Sequence, residues 1–238
     1  MSWRADRIDS IARSFPPCRL RQVIRQMFSF PNTLYAITDE RIAGLDHVQQ
    51  VERLIAGGAK LIQLREKQLP AREFYEIAVR VVALARPHGV RIIINDRVDI
   101  ALAVQAAGVH LGQTDLTAIA ARQLLGQNAV IGFSTHNPDQ VKAAAKLPID
   151  YLAFGPIFPT HTKENPDPVV GIDRLRQIRR LVPTIPLVAI GSISLSNAPQ
   201  VLDAGADAVA MIRALLDDDS EDFEDLVWRN LLHAGIDR

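Results

Sequence analysis

The chain has 238 residues, 48% of them hydrophobic and 23% charged, a composition that is typical of a globular protein and argues against extended disorder. Lys plus Arg and Asp plus Glu both number 27, so the overall charge favours neither nucleic acid nor an anionic membrane surface as a partner. Length alone leaves one domain or two, because barrels of about 200–250 residues form a single domain.

Residues 1–32 precede the first predicted strand and are predicted to be an N-terminal extension of unknown role, followed by a catalytic domain over residues 33–238. The extension is rich in arginine, but its Pro16-Pro17 break weakens a transit-peptide interpretation. Its Cys18 is the single cysteine of the chain, which excludes an internal disulfide. No apolar run approaches the roughly 20 residues of a membrane-spanning helix. The sequence therefore predicts a cytoplasmic protein without a membrane partner.

From Leu34 onward, short apolar runs alternate with longer amphipathic segments, as in parallel strands joined by helices. Eight runs are predicted to be strands, namely LYAIT (34–38), KLIQLR (60–65), RIIIN (91–95), VHLG (109–112), VIGFS (130–134), YLAFG (151–155), LVAIG (187–191) and AVAMI (208–212).

The segments between these runs repeat apolar residues at spacings of three and four, which is typical of amphipathic helices. Several of them end at glycine, as residues 46–58 do at Gly57-Gly58. Eight such units without a second composition block predict a single-domain α/β fold, a closed (βα)8 TIM barrel, with an open doubly wound sheet as the alternative. In such a barrel, functional residues follow the C-terminal ends of the strands.

Two aspartates follow neighbouring predicted strands. Asp96 comes directly after the third strand and Asp115 shortly after the fourth, and two such carboxylates could together hold Mg²⁺. Either residue alone could instead be the N-cap of the next helix, beginning at Arg97 or near Thr117. The residues alone leave both interpretations open.

Three cationic residues, Arg65, Lys67 and Lys163, are predicted to lie around the mouth of the barrel, where they would suit a pyrophosphate. Solvated surface charge is the alternative for a lone lysine. Gln63 and Arg65 alternate about the apolar Leu64, so both are predicted to point into the barrel, where an unpaired charge is costly. A ligand is therefore a natural partner for them.

The turns after the seventh and eighth strands commonly hold phosphate in such barrels. Gly191-Ser192 and Ile212-Arg213 fall at these turns. His136 follows the fifth strand, and a structural or helix-capping role is favoured for it over proton transfer.

Six short motifs then occur in a recognisable order and spacing: QLREK (63–67), ND (95–96), GQTD (112–115), FSTH (133–136), GPIFPTHTK (155–163) and AIGSI (189–193). Together they resemble the thiamine-phosphate synthase family over roughly residues 33–216. The resemblance implies a transferase that joins 4-amino-2-methyl-5-hydroxymethylpyrimidine pyrophosphate to 4-methyl-5-(2-phosphooxyethyl)thiazole, giving thiamine phosphate and pyrophosphate. It implies Mg²⁺ as cofactor and an initial loss of pyrophosphate that leaves a pyrimidine carbocation.

The resemblance also implies roles for individual residues. The pyrimidine pyrophosphate would be bound by Gln63, Arg65, Lys67, Asn95, Ser134 and Lys163, of which Arg65, Ser134 and Lys163 would be catalytic. Mg²⁺ would be held by Asp96 and Asp115. The thiazole phosphate would be bound by Thr160, Thr162, Ser192, Ile212 and Arg213. The partners implied are these two phosphorylated small molecules, and homo-oligomerisation stays open.

Two residues depart from the family pattern, Ser192 where glycine is usual and Arg213 where serine is usual. A serine at the first position keeps its backbone N–H without strain only if φ stays negative. Two rival functions remain. One is a thiazole tautomerase with His136 as the candidate acid or base, and the other is a non-catalytic receptor for thiamine precursors that regulates a partner. The paired aspartates and the intact PTHTK loop favour the synthase.

Overall fold

The computed structural model describes residues 28–160 and 167–212. Eight parallel strands close into a barrel in chain order, and the last strand pairs with the first. The strands are β1 (Leu34–Thr38), β2 (Leu61–Leu64), β3 (Arg91–Asn95), β4 (Gly108–Leu111), β5 (Val130–Thr135), β6 (Tyr151–Phe154), β7 (Leu187–Ile190) and β8 (Ala208–Met211). The predicted TIM barrel is confirmed, and the open sheet is wrong because β8 pairs with β1.

Helices connect successive strands on the outside of the barrel. They are α1 (Glu40–Ala43), α2 (His47–Ala56), α3 (Ala71–Ala85), α4 (Val98–Ala103), α5 (Ala118–Leu125), α6 (Pro138–Ala144), α7 (Gly171–Leu181) and α8 (Ala198–Asp203), with a 3-10 turn at Arg86–His88 after α3. In these helices and the other described residues, we find no helix with the length and apolar character needed to cross a membrane.

Local sequence explains where individual helices begin. The Asp46 side chain accepts the Gln49 backbone N–H, and the Gln49 side chain accepts that of Asp46, which forms a capping box at the start of α2. Asn137 caps α6 by accepting the backbone N–H groups of Asp139 and Gln140. At the end of β5, a two-residue loop therefore leads directly into α6.

Alternate strand residues build two separate cores, because successive side chains of a strand point to opposite faces. Outward-facing residues such as Ile62 and Ile94 pack against the helices in the larger core. Inward-facing residues such as Ile37, Leu61 and Ile93 belong to a smaller core inside the barrel. The barrel is thus a filled structure, open for ligands at its end.

Two aromatic residues ahead of β1 cover the N-terminal end of the barrel. The ring centroids of Phe28 and Phe30 lie 5.5 and 5.2 Å from that of Tyr151, and the Phe30 ring also lies 6.0 Å from Tyr35. The Arg91 guanidinium stacks over the Phe28 ring at 5.2 Å. The division of the chain at residue 32 stays a prediction, but these contacts join residues 28–30 to the barrel.

Candidate active site

A cavity of about 880 Å³ opens at the C-terminal ends of the strands. Every predicted site residue that the structure describes lines it, namely Gln63, Arg65, Lys67, Asn95, Asp96, Asp115, Ser134, Thr160, Ser192 and Ile212. The other predicted residues, Thr162, Lys163 and Arg213, lie outside the described residues.

The N-cap interpretation of the two aspartates is wrong. The N-cap of α4 is Arg97, which makes no side-chain capping bond, and α5 is capped by Thr117, whose Oγ1 accepts the Ala120 N–H at 3.2 Å. The Asp115 Oδ2 instead accepts the Gly112 N–H at 2.7 Å. Neither carboxylate is therefore used to start a helix, and both residues line the cavity.

Asp96 and Asp115 are close enough to affect each other's charge. Burial of Asp115 raises the pKa of its carboxyl above the usual value, and the neighbouring Asp96 carboxylate adds to that increase. Asp96 also adopts a left-handed backbone conformation with φ 62°, which is uncommon outside glycine. Two like charges held together on a constrained backbone suit a divalent cation, and oxygen ligands of this kind suit Mg²⁺.

Both cationic side chains at the described mouth have carboxylate partners. The Arg65 Nη1 donates to the Asp39 Oδ2, and the Lys67 Nζ donates to the Asp96 Oδ2. Arg65 and Lys67 therefore face four carboxylates among the described side chains at the cavity, those of Asp39, Asp96, Asp115 and Asp167. A polyanionic substrate would be repelled by that balance, and a bound dication would offset it.

Asn95 is buried at the inner wall of the cavity, and the N–H donor of its side-chain amide is unpaired among the described residues. Its side chain is 6% exposed, and its Nδ2 has no hydrogen-bond partner among the described residues. Buried amide groups are nearly always paired in native proteins, so such a donor points to an acceptor supplied by a ligand.

A chain of hydrogen bonds crosses the barrel interior from Gln63 to Ser134. The Gln63 Nε2 donates to the Tyr35 Oη at 3.0 Å, and the two phenol oxygens of Tyr35 and Tyr151 are 2.7 Å apart. The Tyr151 Oη lies 2.9 Å from the His110 Nδ1, and the His110 Nε2 lies 2.9 Å from the Ser134 Oγ.

The Gln63 Nε2 can only donate, so the Tyr35 Oη accepts the first bond of this chain. If each phenol then donates to the next acceptor, His110 donates from Nε2 to Ser134, and the Ser134 hydroxyl can donate its own hydrogen to a ligand. Burial raises the pKa of both Tyr35 and Tyr151, so each phenol keeps a hydrogen to donate.

His136 joins two loops at the cavity wall. Its Nδ1 lies 2.7 Å from the Gly155 carbonyl oxygen, and its Nε2 lies 3.5 Å from the Asp167 Oδ2. The helix that follows is capped by Asn137 and not by His136. The ring therefore ties the loop after β5 to the loop after β6, a structural role rather than a capping one.

The turn after β7 adopts a conformation that normally requires glycine. Gly191 has φ 115° and Ser192 has φ 47°, so the serine lies in the left-handed region that the sequence analysis identified as strained. A Cβ at Gly191 would lie 2.5 Å from the Pro156 Cα, so glycine is required there. At Ser192 the left-handed backbone conformation itself costs free energy. The Asn197 Nδ2 stabilises the turn by donating to the Ser192 carbonyl oxygen at 3.2 Å.

Comparison with known proteins adds an independent observation. The model of the family described as thiamine monophosphate synthase matches residues 34–215. The chain belongs to the thiamine-phosphate synthase family. A thiamine-phosphate synthase of Methanospirillum hungatei is 49% identical over 184 residues, covering 77% of this chain and 89% of that protein. One of Koribacter versatilis is 48% identical over 192 residues, covering 78% and 89%. The family predicted from the six motifs is confirmed.

Solved structures agree with this membership of the synthase family. A thiamine phosphate pyrophosphorylase of Pyrococcus furiosus superposes with a TM-score of 0.72 at 38% identity, covering 82% of this chain and 91% of that chain. A 2-keto-3-deoxy-6-phosphogluconate aldolase of Zymomonas mobilis has a TM-score of 0.59 at 18% identity, which shows a shared barrel fold alone.

Several residues that contact the predicted synthase site were missed by sequence reasoning. Asp39, which pairs with Arg65, directly follows β1 and could have been found by its position at a strand end. His110 and Tyr151 occupy inward-facing positions of β4 and β6, where a polar side chain among apolar neighbours is itself a signal. Their connection to Ser134 depends on pairings across the barrel.

Proposed function

We propose that this cavity carries out the reaction of the thiamine-phosphate synthase family through the residues that line it. The reaction joins 4-amino-2-methyl-5-hydroxymethylpyrimidine pyrophosphate to 4-methyl-5-(2-phosphooxyethyl)thiazole, releasing pyrophosphate. The carbon–oxygen bond to pyrophosphate breaks first, the pair of electrons leaves with the oxygen, and the thiazole nitrogen then bonds to the resulting carbocation.

Charge develops on the departing pyrophosphate, so fixed cations lower the barrier. Arg65 and Lys67 supply that charge, and the ion pair with Asp39 holds the Arg65 guanidinium in place. Lys163 would add a third cation from the loop after β6. The free Nδ2 of Asn95 donates to the same substrate, and the Gln63 and Ser134 side chains orient its pyrimidine end.

Asp96 and Asp115 would hold Mg²⁺, which when bound neutralises phosphate charge and assists the leaving group. The fit rests on their proximity, on the raised pKa of Asp115 and on the absence of a capping role for either residue in the described helices. The thiazole phosphate would lie against the backbone N–H groups after β7 and β8, at Ser192 and Ile212, with Thr160, Thr162 and Arg213 completing that half-site.

A carbocation must be protected from competing nucleophiles. The interior wall is formed by neutral groups, because burial keeps the phenol of Tyr35 protonated and a neutral phenol is a poor nucleophile. The apolar side chains of Ile37, Val188 and Ile190 also line the cavity and limit water there. The thiazole nitrogen is then the nucleophile at hand.

The observation that carries this proposal is the meeting of all described candidate residues around one cavity, with Asp96 and Asp115 adjacent and uncommitted to helix caps. The experiment is product formation from both phosphorylated substrates, followed by chromatography, with and without Mg²⁺. We expect thiamine phosphate only with Mg²⁺, and a loss of roughly 100-fold or more in kcat/KM for Asp96→Asn.

Asp99→Asn is the matched control, since it makes the same chemical change three positions away. The Asp99 side chain pairs with Arg97 on the surface of α4, so its loss should leave the rate nearly unchanged. No product from the folded wild-type chain would contradict the synthase assignment and favour the tautomerase or the receptor.

A further inference from the structure

Three metal-ligating side chains meet behind the loop that follows β2. Glu40 and His47 are the first residues of α1 and α2, and Glu66 lies two residues past β2. One ligand atom from each lies within 4.8 Å of the others. They belong to the same end of the barrel as the cavity but do not line it.

The segment after β2 explains this placement. Arg65 and Lys67 line the cavity, and in an extended segment the residue between them points the opposite way. Glu66 accordingly faces the helices, where its Oε2 lies 3.3 Å from the His47 Nε2. A ligand bound there would fix the loop that carries both cations.

The contact between the His47 Nε2 and the Glu66 Oε2 is long for a charge-assisted hydrogen bond and matches the spacing of two metal ligands. A charge-assisted N–H···O⁻ bond closes to about 2.7–2.9 Å, whereas two ligands on tetrahedral Zn²⁺ at about 2.0–2.1 Å lie roughly 3.3–3.4 Å apart. The Glu40 Oε1 is 3.9 Å from the same nitrogen. Because the Glu40 side chain is 35% exposed, a small rotation can bring it closer.

The surroundings hold the ligand atoms in place. His47 is fully buried, and its Nδ1 lies 2.8 Å from the Thr38 Oγ1, the kind of second partner that orients a metal-bound imidazole. The Glu66 Oε1 accepts the backbone N–H of Leu69 at 3.1 Å, which leaves Oε2 directed at His47.

We propose that Glu40, His47 and Glu66 form a second divalent-metal site suited to Zn²⁺, distinct from Asp96 and Asp115, which clamps the loop bearing Arg65 and Lys67. Three protein ligands from nitrogen and oxygen leave a fourth position for water, on the exposed side next to Glu40. The site has a positioning role, because its ligands lie outside the substrate cavity.

The test measures Zn²⁺ binding to the full chain by calorimetry, after a chelator has removed bound metal ions. Excess Mg²⁺ is present so that the Asp96–Asp115 pair is occupied. Co²⁺ in place of Zn²⁺ provides a second readout through the strong visible absorption of tetrahedral cobalt. No substrate is present, so the result does not depend on the proposed function.

Glu40→Gln is the decisive variant, since glutamine can still accept the His47 backbone N–H that the Glu40 Oε1 accepts at 3.0 Å. Removing a residue that only hydrogen-bonds a metal ligand weakens metal binding by about 10–100-fold. Removing Glu40, a direct ligand, should weaken Zn²⁺ binding by at least the same factor. His47→Gln should abolish binding, and the exposed His88→Gln is the matched control. Wild-type protein that binds Zn²⁺ no better than Glu40→Gln would overturn the proposal.

Discussion

The carboxyl of Asp115, one of the two proposed Mg²⁺ ligands, is placed where its charge lowers the stability of the fold. Asp115 is half-buried beside another carboxylate, and the pKa of its carboxyl is raised, first by burial and then by Asp96. A carboxyl whose pKa is higher in the folded than in the unfolded chain lowers stability as the pH rises past its unfolded value of about 4. That loss persists at neutral pH.

Replacing Asp115 by asparagine should therefore stabilise the protein without divalent cations. The amide oxygen can still accept the Gly112 N–H, while the charge repulsion disappears. Because solvent screens a half-buried group, we expect a rise in Tm of about 1–3 °C at pH 7. The measurement is thermal unfolding in chelator from acid to neutral pH.

The difference between Asp115→Asn and wild type should vanish in acid, where the wild-type carboxyl is protonated. Activity of the variant should fall together with that of Asp96→Asn. An equal or lower Tm for Asp115→Asn at neutral pH would contradict the repulsion between the two carboxylates.

At the scale of elements, the end of the barrel opposite the cavity repeats one stabilising arrangement. The Asp150 Oδ2 accepts from the Arg122 Nη2 at 2.6 Å and from the Ile131 N–H at 2.7 Å. The Asp207 Oδ2 accepts from the Arg179 Nη2 at 2.6 Å and from the Leu187 N–H at 2.7 Å. Each aspartate thus joins a helix to the strand that follows it, at the face that serves stability.

The two ion pairs differ in burial, which makes them a matched test. The side chain of Asp150 is 8% exposed and that of Asp207 is 48% exposed. Removing one partner of a buried pair costs about 3–5 kcal/mol, and removing one of an exposed pair about 1 kcal/mol or less. We expect Asp150→Ala to lower the free energy of unfolding in urea far more than Asp207→Ala.

Both variants should retain kcat when folded, since neither aspartate lines the cavity. Equal losses of stability would contradict the assignment of the difference to burial.

At the scale of the whole molecule, the residues ahead of β1 complete the interior core. Phe28 and Phe30 contact the ring of Tyr151, the residue that links Tyr35 to His110 in the hydrogen-bonded chain. The N-terminal end of the barrel is thereby connected to the polar interior below the cavity.

Two truncations separate the extension from this aromatic cover. Removing residues 1–27 should leave Tm nearly unchanged, whereas removing residues 1–30 takes away both rings. We expect loss of both rings to lower the free energy of unfolding by about 3 kcal/mol in total, which is less than the loss of two fully buried phenylalanine side chains would cost. For a chain of this size, that loss corresponds to a fall in Tm of about 6–12 °C. Differential scanning calorimetry measures the difference.

Both truncated chains should remain active, because Phe28 and Phe30 pack against the end of the barrel opposite the cavity. Equal Tm values for the two truncations would show that the rings add nothing, and loss of activity without loss of fold would assign the extension a function.

The sequence by itself determined the barrel and the composition of the candidate site. β1 and β3 have the predicted ends, β2 and β4 differ by one residue at both ends, and the other strands differ by one residue at one end, because apolar runs between glycine and polar residues are local features. The predicted residues that the structure describes lie around one cavity for a general reason: the C-terminal ends of parallel strands converge at one face.

Only the tertiary structure decided which side chains become partners. Tyr35 and Tyr151 are 116 positions apart, and Arg65 and Asp39 are 26 apart. Such contacts depend on barrel closure and on strand register, which no local pattern encodes. The same holds for the backbone of Ser192, whose positive φ is imposed by the packed turn around Gly191 and not by its own preference. Long-range closure thus converted a set of suitable residues into a specific geometry.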